Sequence, residues 1–524
     1  MDTKALRQKI LDLAIRGKLV PQDPNDEPAS VLLGRIRQQK QQMVKEGKLK
    51  PKDIKNDSVI FVGEDNLHYE KFADDSVKCI EDEIPFELPD GWAWERLSNL
   101  ASFSGGKTPS TSRSEYWDGD ILWVTSKDMK SKYITSSQLR LSTLGAEQMQ
   151  MYQPDTLLLV TRSGILRHTL PVAILKECAT INQDLKAIIL YMPQLAEYIY
   201  VCLKGMETQL LLKYTKSGTT VENVNFDEFQ KVLLPIPPIQ QIDRIMSSTG
   251  SAESVVSTIE DDKAALADYV IKAKSKILDL AIRGQLVPQD PDDEPASVLL
   301  ERIRAEKEEL IKQGKIKRDK KESVIFRGED NSYYLKTGEL VESLEDWDFE
   351  ELPGGWSVCC LGELCDYGNC TNIDTADIAD SAWILDLEDI EKNSGIVLQK
   401  VRQGERNAGS TKHRFHKGQV LYSKLRPYLN KVVLADEDGY CTSEILPLEF
   451  EWNILPQYAR YFLMSPTFLR YANKCSYGVK MPRLGTADGK KAIILVPPLE
   501  EQKRIVIAIE QTFSQLAFIT ENLS

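Results

Sequence analysis

KILDLAIRGKLVPQDPNDEPASVLLGRIRQQK runs on from Lys9, and KILDLAIRGQLVPQDPDDEPASVLLERIRAEK runs on from Lys276. Two near-identical copies, about 267 positions apart in a chain of 524 residues, mark two halves of one design. The residues between the copies are far less alike. A matched scaffold carrying unmatched payloads is therefore the first thing the sequence establishes.

Within the copy, Ile10, Leu13 and Ala14 fall at helical spacing, and Gly17 is a natural stop just past a helix end. VPQDPNDEP is rich in turn formers, and Pro28 opens a second helix marked by Val31, Leu32, Ile36 and Met43 and ending near Gly47. The copy is an αα-hairpin, repeated from Leu278 to Gly314.

A longer signal precedes the second hairpin. Ile242, Ile245, Thr249, Ala252, Val256 and Ile259 alternate in steps of three and four, and Leu266, Val270, Ala273, Ile277 and Leu280 continue the seam past a polar Lys263. The spacing predicts a helix over Ile239 to Arg283, roughly 65 Å long at 1.5 Å per residue. The C-terminal PPLEEQKRIVIAIEQ repeats the start of that helix, PPIQQIDRIM from Pro237, and Ile505, Ile509, Leu516 and Ile519 follow its seam. In that alignment Ser524 and Met1 fall at neighbouring places, opposite about Ala264 and Asp268. The chain reads as a circularly permuted tandem repeat with pseudo-two-fold symmetry, its termini adjoining in the middle of a broken helix.

Two polar arms repeat as well: SVIFVGEDNLHYEK from Ser58 and SVIFRGEDNSYYLK from Ser323, each followed by an entry signal, LPDGWAW at Leu88 and LPGGWSV at Leu352. The large segments behind them contain short β-branched and aromatic runs (ILWVTS, DTLLLVT, AIILYM; then QVLYSKL, NKVVLA, KAIILV) and the helical stretches LAEYIYVCLK and LPQYARYFLM. The expected class is α+β: two mixed α/β domains separated by two long helical, coiled-coil regions. Val172-Ala173-Ile174 and Val432-Val433-Leu434 keep the same spacing to the closing Pro-Pro pairs, as do Gly218 and Gly478. Few polar residues between the segments match. The expected boundaries are a hairpin over 1–50, an arm over 51–90, a mixed domain over 91–237, the central helix and hairpin over 238–317, an arm over 318–355, a second mixed domain over 356–497 and a closing helix over 498–524.

Composition bounds the function. Nine cysteines without framework spacing point to free thiols in a reducing compartment, and no apolar run approaches the ~20 residues of a membrane span. MDTKALRQKI has none of the marks of a signal peptide, so the expected location is cytoplasmic, with no membrane partner. A net charge of −13 argues against nucleic acid as a partner unless bases cluster locally.

Several motifs are too incomplete to carry chemistry. Ala101 to Thr108 fits a permissive phosphate-loop pattern, but Pro109-Ser-Thr-Ser follows where a helix should start. Cys359, Cys360, Cys365 and Cys370 lack paired CxxC spacing, and no metal site is expected. No glycine-rich S-adenosylmethionine loop, Asn/Asp-Pro-Pro-aromatic motif or nuclease Glu-x-Lys is present. No catalytic residue is expected.

The combination of ILDLAIRGKLVPQ (Ile10–Gln22), SGGKTPSTSRSEYWDGDILWVTSKDM (Ser104–Met129), VLLPIPPIQQ (Val232–Gln241) and GQVLYSKLRPYLNKVVL (Gly418–Leu434) resembles the specificity subunit of type I restriction-modification enzymes. The resemblance spans essentially the whole chain. It implies two target-recognition domains that each read one part of a split DNA site, and conserved helical regions that fix the spacing and bind two methyltransferase subunits. Translocase-nuclease subunits would join for cleavage. S-adenosylmethionine, ATP and magnesium are then expected on the partner subunits and none in this chain. The near-identical acidic hairpins suit protein partners better than DNA. One heptad added to the long helix should lengthen the scaffold by ~10 Å, about three base pairs of spacer. Two rival readings stand beside this one: a self-sufficient DNA-modification enzyme, and a coiled-coil hub with no nucleic-acid role.

Bases do cluster locally. From Lys400 to Lys431 there are nine Lys or Arg against one acid, including Arg402, Arg406, Lys412, Arg414, Lys424 and Arg426. Asn407, Ser423, Tyr428 and Asn430 are interleaved and could bond bases or phosphates, and Lys480 and Arg483 belong to a second patch. A solvated charged face is the competing account. The first domain is nearly charge-balanced. Its candidates are the loop Lys107, Thr108, Ser110, Ser112 and Arg113, then Lys127, then Arg162, Ser163 and Arg167 at a strand end, whereas Trp123 is expected in the core.

Overall fold

The computed structural model describes residues 2–51, 54–55, 57–216, 221–315, 323–330, 332–344, 352–406, 410–450 and 454–523. Met1, Ser524, Gly218 and Asn407, each used in the sequence reading, lie outside the described residues. The chain divides into two units, Met1–Asp262 and Lys263–Ser524. The division falls inside one continuous helix, Ile239–Ile282, which the heptad seam predicts to within a residue.

Each unit is one copy of the permuted design. The first contains a helix Thr3–Ile15, a second Ala29–Lys45, an arm, a mixed head and the opening half of the long helix. The second begins with the closing half of the long helix, continues through Ala296–Lys312, an arm and a head, and ends in the helix Leu499–Leu523. The N-terminal helix meets the opening half of the long helix through Arg7, which donates to Glu260 at 2.7 Å and to Ser257 at 3.2 Å. In the second unit Lys274 lies 5.4 Å from the ring centroid of Phe513. Ile505 and Ile509 are buried with Leu278, Ala281 and Ile282 in one core. Ile519, expected on the seam, is 42% exposed, because the tail's last turn runs beyond the buried stretch.

The joint between hairpin and head shows why the copies stayed alike. Gly17 has φ +65°, and a Cβ there would stand 2.6 Å from Pro89 and 2.9 Å from Trp92. Gly284 has φ +66° and would meet Pro353 at 2.4 Å. No other residue fits a left-handed turn pressed against a proline and an indole. Trp92 donates its ring N–H to Gln241 at 3.0 Å, and Trp356 donates to Glu501 at 2.9 Å. Arg244 pairs with Asp26, and Arg504 with Asp293 at 2.5 Å. The same four-way joint is thus built twice.

The heads share a topology. In the first, strand Leu157–Val160 lies between Val172–Leu175 and Leu185–Leu190, antiparallel to both. In the second, Val420–Ser423 lies between Val432–Leu434 and Ile445–Leu448 in the same sense. Each head adds a parallel pair, Ala179–Ile181 against Trp117–Val124 and Gly439–Thr442 against Trp383–Leu385. Side chains alternate across a strand, so Leu157 and Leu159 enter the core shared with the hairpin, and Leu158 and Val160 enter a second core inside the head. Val420 and Tyr422 against Leu421 repeat that division. Burial on both faces explains why these strands read as unbroken apolar runs.

Each arm is a three-stranded antiparallel sheet, Ser58–Val62, His68–Phe72 and Val77–Cys79 in the first unit, Ser323–Arg327, Tyr333–Thr337 and Leu340–Ser343 in the second. No helix among the described residues is long and apolar enough to cross a membrane.

Candidate nucleic-acid interface

In both heads the chain leaves the central strand, makes a short 3-10 turn and pairs with a small hairpin. The first head does this at Arg162–Ser163, Gly164–Arg167 and the strands Thr215–Lys216 and Glu222–Val224. The second does it at Lys424–Arg426, Pro427–Leu429 and the hairpin Ser476–Tyr477 with Arg483–Leu484. The backbone stitching is the same. Thr161 donates to the Asp184 carbonyl at 2.8 Å and accepts from Val224 at 2.9 Å. Lys424 donates to the Glu444 carbonyl at 3.0 Å and accepts from Leu484 at 3.0 Å. Two stretches singled out separately by their charge are therefore one structural position, occupied by Thr161, Arg162 and Ser163 in one head and by Lys424, Leu425 and Arg426 in the other.

Around this position the first head gathers several loops. The Lys107 amide donates to Ile181 at 3.0 Å, the Thr108 hydroxyl donates to Gln183, and the Asn182 amide donates to Val124 at 3.0 Å. Lys107, Thr108, Lys127 and Arg162 are exposed on these neighbouring segments, and among the described residues Lys107, Lys127 and Arg162 have no ion-pair partner. Ser163 is half-buried, and its hydroxyl accepts from the Ile165 amide. Arg167 pairs with Glu222 at 3.0 Å, and Arg113 donates to the Tyr116 hydroxyl at 2.7 Å; Ser110 bonds Ser112 at 2.9 Å. Trp123 is buried and donates its ring N–H to the Lys107 carbonyl, which anchors the loop from below.

In the second head the basic run divides in two. One part is consumed internally. Arg406 binds Asp389 at 2.5 and 2.7 Å, Arg402 binds Glu437 at 2.7 Å, and Lys400 binds Asp436 at 2.7 Å. Burial pushes the Asp389 carboxyl up, and the Arg406 guanidinium together with hydrogen bonds from the Asp386 amide and Gln399 more than reverses this, leaving it below the ordinary carboxylate range. Three expectations are corrected outright. Lys412 is 4% exposed and bonds Asp386 at 3.0 Å. Ser423 is 3% exposed and donates to the Leu425 carbonyl, and Asn430 is 9% exposed and donates to the Met464 carbonyl. Counting charges along the run misses carboxylates that other segments bring to it, and Lys412 and Ser423 sit on strands packed on both faces while Asn430, itself buried, closes a 3-10 turn.

The other part faces out. Arg414 and Tyr428 are exposed, Lys424 and Arg426 are half-buried, and among the described residues none of the three bases has an ion-pair partner. Arg426 and Asn430 both adopt left-handed backbone, at φ 50° and 48°. Two non-glycine residues held in that region mark a loop whose shape the surroundings enforce. The Arg426 amide donates to the Pro482 carbonyl at 2.7 Å, which ties the loop to the hairpin turn carrying exposed Lys480. Arg483 grips Glu444 with two guanidinium nitrogens at 2.7 and 3.0 Å, and that contact holds the Glu444 carboxyl below its ordinary range. Arg483 thus braces the loop.

The sequence reading missed Gln183, Asn223 and Tyr477. Gln183 lies beside Thr108, Asn223 opposite Arg162, and Tyr477, 63% exposed, opposite Arg483. Aligning the two strand exits would have found the last two. Among the described residues no group of three metal-ligating side chains is present, and burial raises the Cys359, Cys360 and Cys365 thiols, Cys360 to about 12.

The architecture defines a class: a two-headed scaffold in which like-built domains present unlike polar loops from equivalent strand exits. The chain belongs to the family described as the type I restriction modification DNA specificity domain, whose model matches residues 89–252 and 353–524, more than half of the chain. It is 29% identical over 421 residues to the type I restriction enzyme EcoAI specificity subunit of Escherichia coli, over 70% of this chain and 63% of that one. It is 27% identical to the EcoEI specificity subunit of the same organism, over 69% of this chain and 61% of that one. The chain thus spans just under two thirds of the length of these relatives. Among solved structures, the HsdS subunit from Thermoanaerobacter tengcongensis aligns over 84% of this chain and 94% of that one, at 16% identity and a TM-score of 0.38.

Proposed function

We propose that the chain is the DNA sequence-specificity subunit of a type I restriction-modification complex, and that each head reads one part of a bipartite, asymmetric site in double-stranded DNA. One observation carries this: an identical backbone frame at two strand exits holds Thr161, Arg162 and Ser163 in one head and Lys424, Leu425 and Arg426 in the other. A catalytic apparatus duplicated in one chain would keep its side chains. A pair of readers with different targets would change them and keep the frame. Arg and Lys reach guanine or phosphate, and Thr, Gln and Asn reach adenine or backbone.

In this reading the chain catalyses nothing alone. S-adenosylmethionine, ATP and magnesium belong to partner chains, with two methyltransferase subunits held by the repeated helical elements and translocase-nuclease subunits joining them. The test is to map methylated adenines in cells that carry this chain with its cognate subunits. The expected site has two unlike parts separated by a fixed gap. Exchanging Lys424 and Arg426 for Thr and Ser should alter one part and leave the other unchanged; a change in both parts, or in neither, refutes the assignment.

A further inference from the structure

The two arms differ where they should agree and agree where they should differ. In the first arm the pairing places Phe61, Tyr69 and Cys79 in one row and Val59, Lys71 and Val77 in the next, on the face turned away from the head. In the second arm the same rows are Phe326, Tyr334 and Ser343, then Val324, Lys336 and Val341. Five of these six outward positions carry the same residue in both arms. The face turned toward the head has drifted more: Ser58 and Ile60 recur as Ser323 and Ile325, but Glu70 stands where Leu335 does and Phe72 where Thr337 does, and at its exposed edge Lys78 stands where Glu342 does.

Solvated faces vary and packed faces persist unless something outside the chain selects the solvated one. Here the persistent face is apolar and aromatic. Phe61 and Phe326 are each 41% exposed and stack on Tyr69 and Tyr334 at 5.8 and 5.7 Å between centroids. The tyrosine hydroxyls donate to Asp65 and Asp330, both at 2.7 Å, which holds the rings flat on the sheet. Acidic turns flank the face in both arms, Glu64-Asp65 and Asp74-Asp75 in one, Glu329-Asp330 and Glu339 in the other.

We propose that the outward face of each arm is a docking surface for one and the same protein partner, the methyltransferase subunit, bound once per arm through an apolar patch rimmed by lysine or arginine. The duplication of the face argues for a single kind of partner taken twice, and its acidic rim for the charge of that partner. The inference rests on the proposed membership of a modification complex. It adds a surface outside both the heads and the helices.

Purified chain is titrated with its cognate methyltransferase subunit, and the number bound is read by native mass spectrometry. Wild type should take two. At a concentration that just fills wild type, Phe61→Asp and Phe326→Asp should each leave one site at most about half filled, and the double variant both, a loss of tenfold or more in affinity per arm beyond what the helices contribute. Lys71→Glu and Lys336→Glu, at exposed positions beside the acidic turns, should tighten the same step toward a basic-rimmed partner, weaker binding by either would overturn the charge assignment, and circular dichroism of all variants should match wild type. Two subunits bound by the double variant at unchanged affinity would overturn the proposal while leaving the complex intact. Self-association of the chain through these faces, abolished in the double variant, would overturn it in favour of a second copy as occupant. A wild-type chain that takes up no subunit would overturn both this proposal and the complex on which it rests.

Discussion

Beneath the first arm Glu70 accepts a hydrogen bond from Ser58 at 2.6 Å and pairs with Arg96 at 2.7 Å, both charges almost wholly buried. At the equivalent place in the second unit, Leu335 packs in a core with Cys360, Ile325 and Ile493. One half solved the joint between arm and head with an ion pair, the other with a thiol and a leucine. Such exchanges are energetically close to neutral when both partners change together, because the desolvation of a buried pair offsets most of its attraction. A second exchange lies at the neighbouring residue of the same strand. Arg37 pairs with Glu95, which also accepts from Asn99, whereas Arg304 pairs with Glu363, and Cys359 takes the place of Glu95. The interior tolerates any chemistry that is neutral and of the right volume. The frame at the strand exits and the outward face of the arms do not drift in this way.

The largest expected effect breaks that comparison from one side. Arg96→Cys alone leaves Glu70 buried without its cation and should cost about 3–5 kcal/mol, whereas Arg96→Cys with Glu70→Leu should recover most of it. Denaturant midpoints of the first unit measure both, and equal losses for single and double variants would show that the halves are not interchangeable.

Next in size are the reading loops. Arg426→Ala and Arg162→Ala should each weaken specific DNA binding by about 1–3 kcal/mol if they contact a base, or lower the salt slope by about one if they contact a phosphate. Arg406→Ala should instead lower stability, since it strips Asp389 of its partner. Binding isotherms at several salt concentrations alongside thermal melts separate the two outcomes.

Acid should distinguish the arms. Burial pushes the Glu83 carboxyl up, but Arg96 and Lys78 more than reverse this and hold it at about 2 against an ordinary 4.5. A carboxyl depressed in the folded state stabilises it fully above pH 4.5, and that stabilisation is lost as pH falls toward 2. Amide exchange between pH 6 and 3 should therefore accelerate more in strands Ser58–Val62 and His68–Phe72 than in Ser323–Arg327 and Tyr333–Thr337. The smallest effect is expected from Glu501→Gln, which gives the Trp356 joint the amide that Gln241 gives Trp92. A shift under about 1 kcal/mol in the second unit's midpoint would show the joints to be equivalent.

Much of the architecture was legible along the chain. Helical repeats, heptads and apolar runs are local patterns, and each reports a periodicity that burial imposes on consecutive residues. The hairpins, the long helix, the central strands and the core position of Trp123 follow from such patterns. The split of the basic run does not. Lys412, Arg402 and Arg406 read as free charge because Asp386, Glu437 and Asp389 stand on other segments, and nothing in the run announces them.

The sequence by itself determined that this protein is one unit written twice and carrying two unlike heads, because repetition and periodicity survive in one dimension. Only the tertiary structure decided which polar side chains remain available, which acids silence which bases, and that Arg162 and Arg426 leave the same frame by neighbouring steps. Ion pairs, strand exits and sheet faces are made by residues far apart in the chain, and their chemistry exists only once folding has brought them together.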